Sequence, residues 1–143
     1  MTIARLIAGR SSPIVSIESS AAVREAVSLL AEKRIGALPV MQAGTIVGIF
    51  SERDVVYGLA RNGPGMLDGP VVAAMTAPVI SVDPQTEVLD ALGLMTRRRI
   101  RHLPVVQGGA MVGFVSIGDL VKARIDEALH EAQELRHYVE SAG

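Results

Sequence analysis

The chain has no cysteine and no tryptophan, and only two tyrosines and two phenylalanines among its 143 residues. Without cysteine there can be no disulfide, no thiolate metal site and no cysteine nucleophile. Aromatics at 3% offer little on which single-stranded bases could stack, and a formal net charge of −1 leaves no surplus of phosphate-tracking cations. Nucleic acid is therefore a poor default partner. A weaker idea, nucleic-acid binding through Arg97, Arg98, Arg99 and Arg101, meets the same charge balance. No run approaches the ~18 consecutive apolar residues of a membrane helix. The sequence contains neither a Gly-x-x-x-x-Gly-Lys-Ser/Thr phosphate loop nor a Gly-x-Ser-x-Gly nucleophile turn. His102, His130 and His137 show no metal-ligand spacing, and no acid–base pair stands out. These absences point away from an enzyme.

What is present is apolar material: 49% hydrophobic residues and a mean hydropathy of +0.36, in short bursts broken by Gly, Pro and Ser. That suffices for one compact domain or two half-domains sharing a core. The opening "MTIARLIAGRSS" carries two arginines and no acid, a faint likeness to a transit peptide, but lacks the apolar stretch of a secretory signal. A cytoplasmic protein is expected.

The chain repeats itself. Offset by 65 residues, as from Ser51 to Ser116, two stretches align without a gap, Ile7–Tyr57 on Val72–Lys122, with about a third of the positions identical. "RIGALPV" meets "RIRHLPV", and "VGIFSERD" meets "VGFVSIGD". Each copy predicts β-α-β-β-α. A β-rich run (Ile14–Ile17; Val79–Val82) precedes a helix with apolar residues at i, i+3, i+4, i+7: Val23, Ala26, Val27, Leu30, and then Val88, Ala91, Leu92, Met95. Asp83-Pro84 suits the start of that helix in the second copy. The "LPV" strand, a turn at Ala43-Gly44 or Gly108-Gly109, and a third strand (Thr45–Phe50; Ala110–Val115) lead to a second helix from Ser51 or Ser116. The expected organisation is repeat one over 1–62, a linker over 63–70, repeat two over 71–124 and a helical extension over 125–143. The economical packing sets one copy against the other about a pseudo-twofold axis.

This duplicated order resembles a tandem pair of cystathionine-β-synthase (CBS) domains, a Bateman module, over roughly Ile7 to Lys122. The resemblance implies a mixed α/β (α+β) fold and an adenosyl ligand: AMP, ADP or ATP, with NAD(H) or S-adenosylmethionine as further candidates. It also implies a regulatory role toward a partner protein, which the sequence does not name, and association as a homodimer.

Ser51-x-x-Asp54 and Ser116-x-x-Asp119 each admit two readings. One is a capping box, with Ser and Asp satisfying each other's backbone amides. The other follows from the resemblance: Asp holds the ribose hydroxyls and Ser contacts ribose or phosphate. A carboxylate only accepts, which suits two hydroxyl donors, and a helix start offers free amides to phosphate. The two roles are compatible. By the same resemblance, each Asp faces the first strand and the "IxxLPV" entrance of the other copy. Site one would then hold Ser51, Arg53, Asp54, Val79, Ile80, Ile100, Arg101 and His102. Site two would hold Ile14, Val15, Ile35, Gly36, Ala37, Ser116 and Asp119. Arg101 and His102 stand where the other copy has Gly36 and Ala37, so site one should favour phosphate-rich ligands, and site two should be weaker or prefer a less charged adenosyl group. Gly48 and Gly113, inside strands, suit close packing.

Past the repeat, Val121, Ile125, Ala128, Ala132, Leu135 and Val139 form a heptad seam on one helix. It could fold onto its own domain, pair across a dimer or dock on a partner. A rival to the nucleotide reading is a ligand-free scaffold acting through this helix, with both Ser-x-x-Asp pairs as caps only.

Overall fold

A computed structural model describes residues 1–142. In chain order the elements are α1 (Ile3–Ala8), β1 (Ile17–Glu18), α2 (Val23–Lys33), β2 (Ala37–Gln42), β3 (Thr45–Ser51), α3 (Glu52–Asn62), a 3-10 turn (Pro64–Asp68), α4 (Val71–Ala74), α5 (Val88–Arg98), β4 (His102–Gln107), β5 (Ala110–Ser116) and α6 (Ile117–Ala142). No helix among the described residues is long and apolar enough to cross a membrane.

Each repeat is built on an antiparallel hairpin. Leu38 pairs with Phe50 and Val40 with Gly48 in the first; Leu103 pairs with Val115 and Val105 with Gly113 in the second. The turns need left-handed backbone at both central residues: φ is 50° and 79° at Ala43-Gly44, and 58° and 79° at Gly108-Gly109. α2 buries Val23, Ala26 and Leu30, and α5 buries Val88, Ala91 and Met95, the faces that helical spacing predicts. Both helices stop on an arginine in the left-handed region, Arg34 (φ 55°) and Arg99 (φ 54°), whose N–H closes on the carbonyl of Leu30 or Met95. β3 and β5 face each other at the pseudo-twofold axis.

Each repeat's core is completed by the segment that precedes the other. Ile3 of α1, fully buried, sits among Val88, Met95, Leu103 and Leu120 of repeat two. Val71 of α4 sits among Val23, Leu30 and Phe50 of repeat one. The same exchange caps helices that have no side-chain cap: Val23 N–H donates to Gly69 O at 2.9 Å, and Val88 N–H to Met1 O at 2.9 Å. The opening stretch is thus part of the fold, with Ile3 and Ala4 N–H also held by Thr86 and Pro84 carbonyls.

Three expectations change. The first strand shrinks to Ile17–Glu18 in repeat one and to a single bridge, Val82 with Val105, in repeat two. Only these residues reach the hairpin, and Pro13 and Pro78 upstream have no N–H to give a ladder. α5 starts at Val88, not at Asp83-Pro84, because the Asp83 carboxylate accepts the Gln85 N–H at 2.7 Å and its carbonyl accepts the Thr86 N–H, making a turn. The extension expected from residue 125 has no break at its start, since α6 is one helix from Ile117; its last expected residue, Gly143, lies outside the described residues. Leu120 packs into the core, whereas every residue from 128 to 142 is exposed. The seam positions Val121, Ile125, Leu135 and Val139 are therefore uncovered rather than folded onto their own domain.

Candidate functional site

A cavity of about 390 Å³ opens between the repeats. One wall is the β3–α3 junction, with Ser51, Arg53 and Asp54; the other is the unpaired run before Val82 and the start of β4, with Val79, Ile80, Ile100, Arg101 and His102. All eight residues expected at site one therefore lie on one cavity. Its volume is in the range of small-molecule sites. Val79 and Ile80, which line the cavity, lie between the bridge at Thr76 and the one at Val82, where the chain has no ladder pairing, so their backbone donors and acceptors have no strand partners.

Both oxygens of the Asp54 carboxylate accept hydrogen bonds. Oδ2 accepts from the Ser51 N–H at 2.9 Å and the Ser51 hydroxyl at 3.1 Å, and Oδ1 accepts from the Thr76 hydroxyl at 2.8 Å. Thr76 belongs to the other repeat's approach segment. It is placed by a two-way backbone bridge to Ile49, with Thr76 N–H to Ile49 O at 2.8 Å and Ile49 N–H to Thr76 O at 3.0 Å. Two of the three donors on Asp54 are hydroxyls, the donor type that a ribose would present. Met75, next to Thr76, lies where a side chain on Gly48 would overlap it, so Gly48 is a packing glycine; Ile7 packs tightly on Gly113, where an added Cβ would lie 3.1 Å from it without overlap.

His102 is half-buried. Its ring stacks on Phe114, centroids 5.7 Å apart and planes 11° apart. Burial pushes its pKa down, helped by Arg101 and opposed by the Asp119 and Glu52 carboxylates, so the ring is neutral at pH 7.

Site two is arranged differently. Ala37 is buried, Val15 and Ile35 pack against the first core, and Gly36 lines the Asp54 cavity beside His102. The short first strand leaves Ile14 half-exposed beside Val15. Asp119 lines another groove, between α1 and α6, with Arg10, Lys122 and Glu127. Asp119 and Ser116 form a reciprocal cap: Ser116 N–H donates to Asp119 Oδ2 at 2.8 Å, and Asp119 N–H donates to Ser116 Oγ at 3.1 Å. The Arg10 guanidinium adds an ion pair at 2.9 Å. Burial alone would raise the Asp119 pKa, but the Ser116 amide and Arg10 outweigh it and hold the carboxyl below its usual range.

Neither Thr76 nor Arg10 belongs to a motif that points to a site. The repeat carried a signal for both: the same offset sets Ser11 opposite Thr76 and Arg10 opposite Met75, so the first copy has a cation where the second has a thioether. Nothing in the sequence links either residue to an aspartate in the other repeat.

Residues 7–61 and 71–126 each match the CBS domain family. A CBS domain-containing mitochondrial protein of Arabidopsis thaliana is 38% identical over 82% of this chain; the match spans 60% of that protein, less than two thirds of its length. A CBS-domain containing protein from Agrobacterium tumefaciens is 34% identical, with a TM-score of 0.82 over 87% of this chain and 99% of that one. A CBS domain protein from Pyrobaculum aerophilum, solved in complex with AMP, is 32% identical, with a TM-score of 0.71 over 83% of this chain and 89% of that one. The interlocked hairpin repeats and the matches to both halves lead to one conclusion: the chain belongs to the CBS domain family and carries two CBS domains in tandem.

Proposed function

We propose that the chain is a regulatory module, not a catalyst, that binds an adenosyl nucleotide in the cavity between its repeats. The observation that carries this reading is the make-up of that cavity: an aspartate already holding hydroxyl donors on one repeat, facing an apolar, unladdered run and a cationic strand entrance on the other. The AMP complex of the Pyrobaculum protein supports the ligand class. Ribose hydroxyls would take the place of the Ser51 and Thr76 hydroxyls on Asp54. Adenine would lie against Val79 and Ile80, with its edge read by their backbone, and phosphate would meet Arg101, Arg53 and His102. AMP, ADP and ATP fit this charge best; NAD(H) and S-adenosylmethionine share the adenosyl part.

Both repeats line the cavity, so occupancy biases their relative packing to the extent that the ligand prefers one arrangement. α6 leads directly from the Ser116–Asp119 turn and is the natural output element, through homodimer contacts or a partner protein. The absence of cysteine suits action in the cytoplasm.

Thermal melting of nucleotide-stripped protein tests the reading. A ligand at ~100 times its dissociation constant adds about 2.7 kcal/mol, so at least one of AMP, ADP, ATP, NADH and S-adenosylmethionine should raise the melting temperature by several degrees. A scaffold acting through α6 is the second reading, favoured by its exposed Leu129, Leu135 and Val139. It predicts no shift with any of the five.

A further inference from the structure

The two sites differ in what holds the aspartate, and the difference follows the repeat. In repeat one, the Ile49 carbonyl accepts the Thr76 N–H, and Asp54 accepts the Thr76 hydroxyl. In repeat two the corresponding groups are the Phe114 carbonyl and Asp119. Both are taken by one side chain: Arg10 Nη1 donates to Phe114 O at 2.8 Å, and Arg10 Nη2 lies 2.9 Å from Asp119 Oδ2. A guanidinium fork thus does the work of a backbone bridge and a hydroxyl together.

The segment around Arg10 is otherwise loosely held. Residues 8–13 are all exposed, and 10–16 carry no helix or strand. α1 on one side is anchored by Ile3 in the core and by Ile7 on Gly113. β1 on the other side is paired to β2. Arg10 can therefore leave Asp119 by side-chain rotation while both flanking elements stay in place.

We infer that Arg10 is an intramolecular competitor for the second site: a ligand whose two hydroxyls engage both oxygens of Asp119 has to displace the guanidinium from Oδ2. This rests on the nucleotide reading above and deepens it. Arg is a donor only, so a hydroxyl donating to the same carboxylate gains nothing from it and competes with it. The second site is weakened because Asp119 Oδ2 is already taken from within, by Arg10 and the Ser116 N–H. Its half-exposed ion pair is displaceable, unlike a buried one.

Calorimetric titration with AMP decides the matter, using the full chain with Asp54→Ala so that the Asp119 site alone remains. Adding Arg10→Ala should tighten binding about tenfold or more, and adding Asp119→Ala to that double variant should abolish it. Arg10→Lys, which keeps the charge but loses the fork, should fall between. Melting curves verify that each variant is folded. Equal affinity, or no binding, with and without Arg10 overturns the inference; weaker binding in Arg10→Ala overturns it too, by making Arg10 a phosphate ligand. The wild-type titration separates the two claims. Asp54-dependent binding with no effect of Arg10 removes the competitor and leaves the nucleotide reading intact, whereas AMP failing to bind wild type and every variant removes both for this ligand.

Discussion

The Thr76 hydroxyl donates to Asp54 Oδ1 at 2.8 Å, joining the approach segment of one CBS domain to the α3 start of the other. Both residues line the cavity, so the bond bears on stability and on the ligand site at once. Thr76→Val keeps the shape and removes the donor. It should lower stability by about 1 kcal/mol, the net value of one such hydrogen bond, measured by urea unfolding. No change would mean that water replaces the hydroxyl without loss.

The N-terminal helix should behave as part of the second domain. Ile3 is fully buried in that core, and truncating a buried Ile to Ala costs about 2–5 kcal/mol. Ile3→Ala should therefore destabilise strongly in chemical denaturation, and hydrogen exchange should rise at β4 and β5 more than at β2 and β3. Uniform exchange changes would contradict the exchanged-segment architecture.

Arg34 ends α2 in the left-handed region at φ 55° and is exposed. A side chain there is strained by roughly 1 kcal/mol or more, partly offset by the greater unfolded entropy of glycine. Arg34→Gly should raise stability by about 0.5–1 kcal/mol in denaturant melts, without touching the cavity.

His102 and Asp119 give the fold a pH dependence of a definite sign. Burial lowers the His102 pKa from 6.5, so the folded state binds fewer protons there than the unfolded chain. Its contribution is whole above pH 6.5 and is lost as pH falls through the folded value. The Asp119 pKa is also lowered, and its contribution is lost further into acid, below about pH 4. Unfolding free energy should thus decline from pH 7 to 5, and the decline should shrink in His102→Phe. A slope that persists unchanged in that variant would assign it to other groups.

Much of the fold is legible in the sequence because the repeat is gapless: Leu38 and Leu103, or Val23 and Val88, repeat the same burial in the same register. The turns are legible because Gly44 and Gly109 mark left-handed backbone. What is not legible depends on remote chain. The start of α5 is capped by the Met1 carbonyl, and Ile3 belongs to a core that begins some eighty residues later. Ser51-x-x-Asp54 reads as a cap or a ligand hook, and the structure shows the capping half of that pair directly. Its placement beside Arg101 and His102 follows from the two domains closing on each other. Arg10 escapes any motif, since its role lies in two groups on the far repeat.

If Asp54 anchors an adenosyl ligand between the two domains, calorimetry with AMP on nucleotide-free protein will show it. Wild type should give saturable heat, and Asp54→Ala should weaken that binding by about a hundredfold, as expected when a charged acceptor of two hydroxyls is removed. AMP binding of equal affinity in wild type and Asp54→Ala would show that Asp54 is not the anchor.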